Sequence, residues 1–458
     1  MSDPPLVIVS NRGPFSFRVR DGQLVASRGA GGLASGLVPV LESSGALWIA
    51  SAMSEGDHAA AARGVTETHG LFVKMLAIDR AVFADAYDVV SNGTLWYLHH
   101  GLFDAWRTPV LDVSWHRAWN AYRRFNQTMA VAAGEEAPPD AVVLVQDYHL
   151  SLFATYLHEL RPDLRTVHFH HTPFCAPDSL RMLPSAVRGE LIEGLLANGA
   201  CGFHTRRWAE SFERCCREVV GADATGFVSP LAPDSSRLAS AAGGRECAVE
   251  LRRLSAAIGD RSFIARVDRL EPSKNLLRGF RAYDDLLRRY PHWRQEVVFG
   301  AFLYPSREAI EDYRLYRDEV LATVEAINRR WGRDGWDPIV LDVSDNYSLS
   351  LAALRRFDVL LVNPVRDGLN LVAMEGALVN EHDGSVLLST EAGAHAMLEG
   401  SVDSLDPFDE ASTADALDRA LGRSQNERTE RFASLRRQVA GQVPGDWLRR
   451  QLAAIGAG

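Results

Sequence analysis

The chain has 458 residues, 47% hydrophobic and 24% charged, with a formal net charge of −10. This is a globular composition too long for one ordinary core, so two domains are expected. The acidic balance, with no basic run interleaved with aromatics, excludes a nucleic-acid partner and requires any phosphate site to be local.

In chain order, short apolar runs recur at 6–10 (LVIVS), 47–50 (LWIA), 141–146 (AVVLVQ), 166–171 (TVHFHH), 263–267 (FIARV), 297–299 (VVF), 338–343 (PIVLDV), 359–363 (VLLVN) and 386–389 (VLLS). A helix-length stretch follows each, the pattern of parallel sheets. The stretch 229–244 (SPLAPDSSRLASAAGG) reads as a linker. It divides the strands into two doubly wound α/β domains, expected at 1–235 and 236–436, with a last helical stretch, 437–458, able to pack back on either. Ligands of such sheets lie beyond the carboxyl ends of the strands, and a cleft between the domains would collect the polar residues found there. The five cysteines are odd in number and lack CxxC spacing, which points to reduced thiols and a cytoplasmic protein. With no apolar run of roughly 18 residues, no membrane partner is expected.

Four segments carry chemistry. RGAGGLASG (28–36) has the wrong spacing for a dinucleotide fingerprint; its glycines, Gly31 and Gly32 foremost, either let backbone amides approach a phosphate or sugar or make a tight turn. DYHL (147–150) and HHTPF (170–174) put Asp147 and His171 at strand ends; of His168, His170 and His171, one or two are packing residues and one faces the cleft. VDRLEPSK (267–274) holds Lys274, one of only two lysines beside Lys74 among 49 cationic residues, with Arg269 as a planar fork for bidentate contact. Together they would neutralise a diphosphate, or form a solvated basic turn. In VNPVRDGLNLVAME (362–375) a helix is expected to begin near Leu371, so that the amides of Leu371 and Val372 form an anion site. Asp367 and Glu375 there suit sugar hydroxyls and a ribose diol. The absence of DxD and GxSxG argues against a metal-held diphosphate and a serine hydrolase.

SNRGP, GAGGL, YDVVSNGTLW, DYHL, HHTPF, the SRE of LYPSRE, RLEPSK and RDGLNLVAME, in this order, resemble the trehalose-6-phosphate synthases. The resemblance implies two facing Rossmann-like domains (GT-B), an N-terminal acceptor domain with a C-terminal helix crossing back to it, and a nucleotide-sugar domain. It implies retaining transfer of glucose from a nucleotide diphosphate to glucose 6-phosphate, with no cofactor and no essential metal. By motif, Arg12 and Arg307 would clamp the acceptor phosphate, and Tyr87, Trp96 and Asp147 would line the acceptor sugar. On the donor side, Arg269 and Lys274 would hold the diphosphate with Gly32 approaching it. His171 and Asp367 would hold glucose hydroxyls, Gly368, Asn370, Leu371 and Val372 would contribute backbone and side-chain contacts, and Glu375 would take ribose. Arg269, Lys274, His171 and Asp367 form the implied catalytic set.

The base would lie near Phe302 and the loop holding Asp345 and Asn346. The His-Phe pair common in uridine-using members is absent, and Asp345 can accept from guanine N1–H and its exocyclic amine, so GDP-glucose is expected ahead of UDP-glucose. IASAMSEGD, LVNEHDGSVLLS and DPFD look instead like the pseudo-glycosyltransferases that make validoxylamine A 7'-phosphate, which couple a nucleotide-linked cyclitol to an aminocyclitol phosphate. Tyr87, and Arg366 before Asp367, follow the trehalose pattern. A non-catalytic sugar-phosphate sensor is the third reading, against which the charged set stands intact. A homo-oligomer is compatible with all three.

Overall fold

Residues 4–28, 37–38, 40–42 and 44–456 are described by the computed structural model. The chain forms two compact units, one of Met1–Leu231 with Pro444–Gly458 and one of Ala232–Val443.

Unit 1 contains β1 (Leu6–Ser10), β2 (Phe15–Arg20), β3 (Gln23–Arg28), β4 (Leu47–Ser51), β5 (Val65–Thr68), β6 (Leu71–Leu76), β7 (Val142–Gln146), β8 (Arg165–His170), β9 (Ala200–Phe203) and β10 (Phe227–Val228). Its main sheet runs β10-β9-β8-β7-β1-β4-β6-β5, parallel except at the β5–β6 edge. Strands β1 and β7 at its centre are apolar almost throughout because helices cover both faces of a parallel sheet. The chain leaves β1 towards β4 and later returns to β7 on the other side. The crevice of this sheet therefore opens between the carboxyl ends of β1 and β7.

Unit 2 contains β11 (Ser262–Arg269), β12 (Val297–Tyr304), β13 (Ile339–Val343), β14 (Val359–Val362), β15 (Ser385–Ser389) and β16 (Asp403–Leu405). They form one parallel sheet in the order β13-β12-β11-β14-β15-β16, the doubly wound arrangement that opens between its first and fourth strands, β11 and β14. Helix α1 (Leu371–Val379) follows β14, and α2 (Pro444–Ala454) belongs to unit 1. There Trp447 is buried edge-on against Phe169, with ring centroids 4.9 Å apart.

The two doubly wound sheets match the expected fold class, and every apolar run singled out in the sequence lies in a strand. The boundary between the units, Leu231 to Ala232, falls inside the stretch expected as a linker, but that stretch is not irregular throughout. Residues Ser235–Ala242 form a helix, capped by Asp234, whose carboxylate accepts from Arg237 N at 3.0 Å. Its small residues are as compatible with a capped helix as with a loop. The hairpin β2–β3 was not expected, although Asp21-Gly22 at its tip, with φ of 50° and 75°, is the residue pair that a tight primed turn demands. Residues Asp85–Leu95 wind as a π-helix, in which Ser91 Oγ and Thr94 Oγ1 donate to carbonyls five residues back, those of Ala86 and Val89. Gly93 is needed there, since a Cβ would lie 2.9 Å from Asp88 O. All five cysteines are unpaired and buried. Among the described residues no helix is long and apolar enough to cross a membrane.

Candidate active site

In unit 1 the candidate residues stand where β1, β7 and β8 end. Ser10 Oγ accepts from Trp48 Nε1 (2.7 Å) and donates to Arg12 O (2.6 Å), fixing the turn that presents Arg12. The exposed Arg12 guanidinium donates to Tyr87 OH at 3.1 Å, and the π-helix holds the Tyr87 ring stacked between Phe83 and His149. Trp96, at the start of the next helix, is buried against His100 with centroids 3.9 Å apart.

Asp147 has φ 71° and ψ 170°, a conformation that costs a residue with a Cβ of order 1–3 kcal/mol and is held only where the surroundings over-determine it. Its Oδ1 accepts from the backbone amides of His171 (3.1 Å) and Thr172 (3.4 Å). Burial nevertheless dominates these hydrogen bonds and pushes the carboxyl up to about 6.

The three histidines in and just after β8 separate as alternation requires. His168 and His170 are buried packing residues, driven neutral by burial, while His171 stands at the strand end. The direction of hydrogen bonding at His171 follows from the backbone. Leu231 N–H donates to His204 Nδ1 (3.3 Å), so His204 Nε2 carries the proton towards His171 Nδ1 (3.3 Å), and His171 Nε2–H donates to Gln146 Oε1 (2.9 Å). Burial, then the neighbouring His204 and His168, hold His171 well below the ordinary histidine range, consistent with this neutral chain. Trp447 of α2 stacks on the ring at 5.9 Å.

In unit 2 the candidate cations lie at the end of β11, whose last residue is Arg269, and in the turn after it, which carries Lys274. Lys274 Nζ contacts Asp367 Oδ2 at 2.6 Å and Asp268 Oδ1 at 3.8 Å. Burial works against the ammonium, but the two carboxylates outweigh it and raise its pKa. Asp367 is held in turn: Oδ1 accepts from Leu369 N (3.2 Å), and Oδ2 also accepts from Asn370 Nδ2 (3.2 Å). Asn370 has φ 74° and precedes α1, whose first turn receives no side-chain cap. The amides of Leu371 and Val372 belong to that first turn, where no side chain caps them. Glu375, one turn into α1 and half-buried, is pushed up to about 7 by burial.

A second set surrounds Glu271, which is 0% exposed. Its carboxylate meets Arg269 Nη2 at 3.0 Å and Arg307 Nη1 at 3.8 Å, and accepts from Ser273 Oγ (3.0 Å) and Ser306 Oγ (3.2 Å). Arg307 Nη1 also donates to Tyr313 OH at 2.7 Å. Sequence reasoning missed Glu271, Asp268, His204 and Gln146; an acid between two cations in RLEPSK was the available signal for the first.

The structure thus pairs Arg12 with Tyr87, Asp147 with the His171 backbone, Lys274 with Asp367 and Asn370, and Arg269 with Arg307 through Glu271. Other expected residues have surroundings of their own. Phe302 is buried in β12 beside Phe263, and the Asn346 side chain caps the next helix by accepting from Leu349 N at 3.0 Å. Asp345 is exposed beyond edge strand β13. Gly31 and Gly32 lie outside the described residues. Among the described residues no group of three or more His, Cys, Asp or Glu side chains is placed to hold a metal ion.

Glycosyltransferase family 20 matches residues 4–456. The trehalose-6-phosphate synthase of Mycobacterium sp. (strain JLS) is 32% identical over 479 residues, covering 99% of this chain and 96% of the relative. The α,α-trehalose-phosphate synthase (UDP-forming) of Burkholderia xenovorans, solved in complex with glucose-6-phosphate, superposes with a TM-score of 0.86 at 27% identity, covering 98% of this chain and 99% of that one. An E. coli structure bound with UDP-2-fluoro glucose gives a TM-score of 0.86 at 26% identity, covering 98% of each chain.

Asp147 supplies a test of the electrostatics. Its folded pKa lies above its unfolded value, so its contribution to stability is present below the ordinary carboxyl value of 3.8 and is lost as pH rises through about 6. Asp147→Asn keeps an acceptor for the two amides and removes this loss. Denaturant unfolding is expected to show the variant gaining up to about 3 kcal/mol on wild type between pH 4 and 7, then running parallel to it. A constant difference across that range would refute the assignment.

Proposed function

The chain belongs to glycosyltransferase family 20, as a retaining glycosyltransferase of the GT-B fold, and we propose that it is a trehalose-6-phosphate synthase. It would transfer glucose from a nucleotide diphosphate to glucose 6-phosphate. The observation that carries this reading is the Lys274–Asp367 pair beside Arg269 and the uncapped start of α1, at the opening of the unit 2 sheet. That arrangement offers cations and amides to a diphosphate and a carboxylate to sugar hydroxyls. The names of the solved relatives, which include bound glucose-6-phosphate and UDP-2-fluoro glucose, support the same substrates.

In this reading Arg269 and Lys274 bind the donor diphosphate, the amides of Leu371 and Val372 add to the same anion site, and Glu375 accepts from ribose. Asp367 takes a glucose hydroxyl. His171 shares that role when its Nε2–H turns from Gln146 Oε1 to the sugar. Arg12 and Arg307 bind the acceptor phosphate, while Tyr87, Trp96 and Asp147 line the acceptor sugar. No protein nucleophile is required. The bond from glucose C1 to the diphosphate oxygen breaks as the acceptor hydroxyl oxygen bonds to C1 on the same face, and the departing diphosphate oxygen takes the hydroxyl proton. The configuration is retained, and the cations stabilise charge growing on the leaving group.

For the donor base, we read the exposed Asp345 carboxylate as favouring guanine, while the Burkholderia xenovorans relative is named UDP-forming. Product analysis by NMR and mass spectrometry, with glucose 6-phosphate and either GDP-glucose or UDP-glucose, tests reaction and base together. Trehalose 6-phosphate is the expected product, formed faster from GDP-glucose; no product from either donor would shift the assignment to cyclitol coupling. If Asp345 reads the base, Asp345→Ala abolishes the preference between donors, and unchanged selectivity removes its role. Lys274→Ala is expected to lower kcat about a hundredfold or more, with the KM for glucose 6-phosphate little changed. Full turnover in a folded Lys274→Ala protein would contradict the leaving-group assignment.

A further inference from the structure

The ladder between β11 and β14 pairs Ile264 with Val359 and Ala265 with Leu360. The next residue of β11 is Arg266, an arginine 0% exposed in the middle of a parallel sheet. A charge in that position is retained only when every donor finds a partner. Its Nε donates to Asp268 Oδ2 (3.1 Å), and its Nη1 reaches across the parting strands to Asn363 Oδ1 (2.7 Å), just past β14. Its Nη2 donates to the backbone carbonyl of Lys274. One planar guanidinium thus joins the end of β11, the end of β14 and the turn that carries Lys274. A lysine, with a single point of charge, has no such three-way geometry.

The helix over this site is cut to fit. A Cβ on Gly279 would lie 2.4 Å from Arg266 Nη1 and 3.4 Å from Asn363 Oδ1. Asn275, at φ 60°, anchors the same turn from the other side: its Nδ2 donates to Asn363 O (2.9 Å) and Pro407 O (2.7 Å). Asp268 links the two layers, since it accepts from Arg266 and lies 3.8 Å from Lys274 Nζ.

We propose that Arg266 is a positioning residue for donor binding, setting the place of the Lys274 backbone and hence of its ammonium, and that Gly279 is the complementary vacancy that admits its guanidinium. This inference rests on the reading of Lys274 as a diphosphate ligand. Arg266 touches no substrate; its effect passes through the turn.

The test compares wild type, Arg266→Lys and Gly279→Ala in three measurements: calorimetric affinity for GDP and UDP, kinetic constants for donor and for glucose 6-phosphate, and thermal unfolding. Gly279→Ala leaves all charges in place and disturbs only the guanidinium, so it decides the matter if Arg266→Lys does not fold. The expected result in a folded variant is a loss of nucleotide affinity and of kcat by roughly ten- to a hundredfold, with the KM for glucose 6-phosphate unchanged. Unchanged nucleotide affinity in folded variants overturns the proposal. So does a parallel loss of donor and acceptor parameters with a lowered unfolding temperature, the mark of a merely structural residue. A wild type that binds GDP or UDP but forms no trehalose 6-phosphate refutes the proposed reaction alone, because the affinity comparison still decides the role of Arg266. A wild type that binds neither nucleotide refutes both.

Discussion

Neighbouring parallel strands whose crossovers leave in opposite directions must part at their carboxyl ends, and both units of this chain are organised around that parting. In unit 1, β1 and β7 pair from Leu6 with Val142 to Val9 with Val145, and Arg12 and Asp147 lie just beyond. In unit 2 the β11–β14 pairing ends at Ala265 and Leu360, and the charged residues begin with Arg266. The apolar ladders below are buried. The strand ends above must satisfy whatever polar groups they carry, and they do so by alternating sign: Arg266, Asp268, Lys274, Asp367 along one line, Arg269, Glu271, Arg307 along another.

Burial then sets the protonation of each group according to the company it keeps. In unit 1 burial, and after it the neighbouring His99, keep His168 and His170 neutral, while burial and then His204 do the same for His171 in its directed chain of neutral imidazoles. In unit 2, Lys274 keeps its charge against desolvation because two carboxylates face it. Glu375, whose shift comes from burial alone, is pushed up to about 7, and Tyr304 and Tyr313 are pushed up to about 12. Charged and neutral donors are thereby laid out before any ligand arrives, the preorganisation on which electrostatic catalysis depends.

Much of this was legible in the sequence. Central parallel strands read as unbroken apolar runs, so LVIVS, VVLVQ and VLLV declared themselves, whereas the hairpin of β2 and β3, which buries Phe15 and Phe17 but exposes Ser16 and Arg18, and the two-residue β10 carry no such run. The π-helix could not be read from helical periodicity, because side chains bonding five residues back maintain it. Motif residues such as Arg269 and Lys274 stood out by type and spacing. The groups that hold them did not: Glu271 resembles any surface acid, and Arg266 meets Asn363 across 97 positions of sequence. Backbone conformation was equally hidden. Of nine described non-glycine residues with positive φ, Asp147, Asn275, Arg307 and Asn370 lie at the candidate site, and none belongs to a sequence pattern that demands it.

The near absence of lysine has a further chemical consequence. Lys74 is bound to Glu136 at 2.6 Å in unit 1, and Lys274 to Asp367 at 2.6 Å in unit 2, while every other basic side chain apart from histidine is a guanidinium. Guanidinium groups stay protonated and are poor nucleophiles towards reagents that acylate amines. Covalent footprinting of side-chain amines on this protein therefore reduces to two positions, and the change at one of them, Lys274, becomes a direct mass readout of whether the turn at 272–275 is covered.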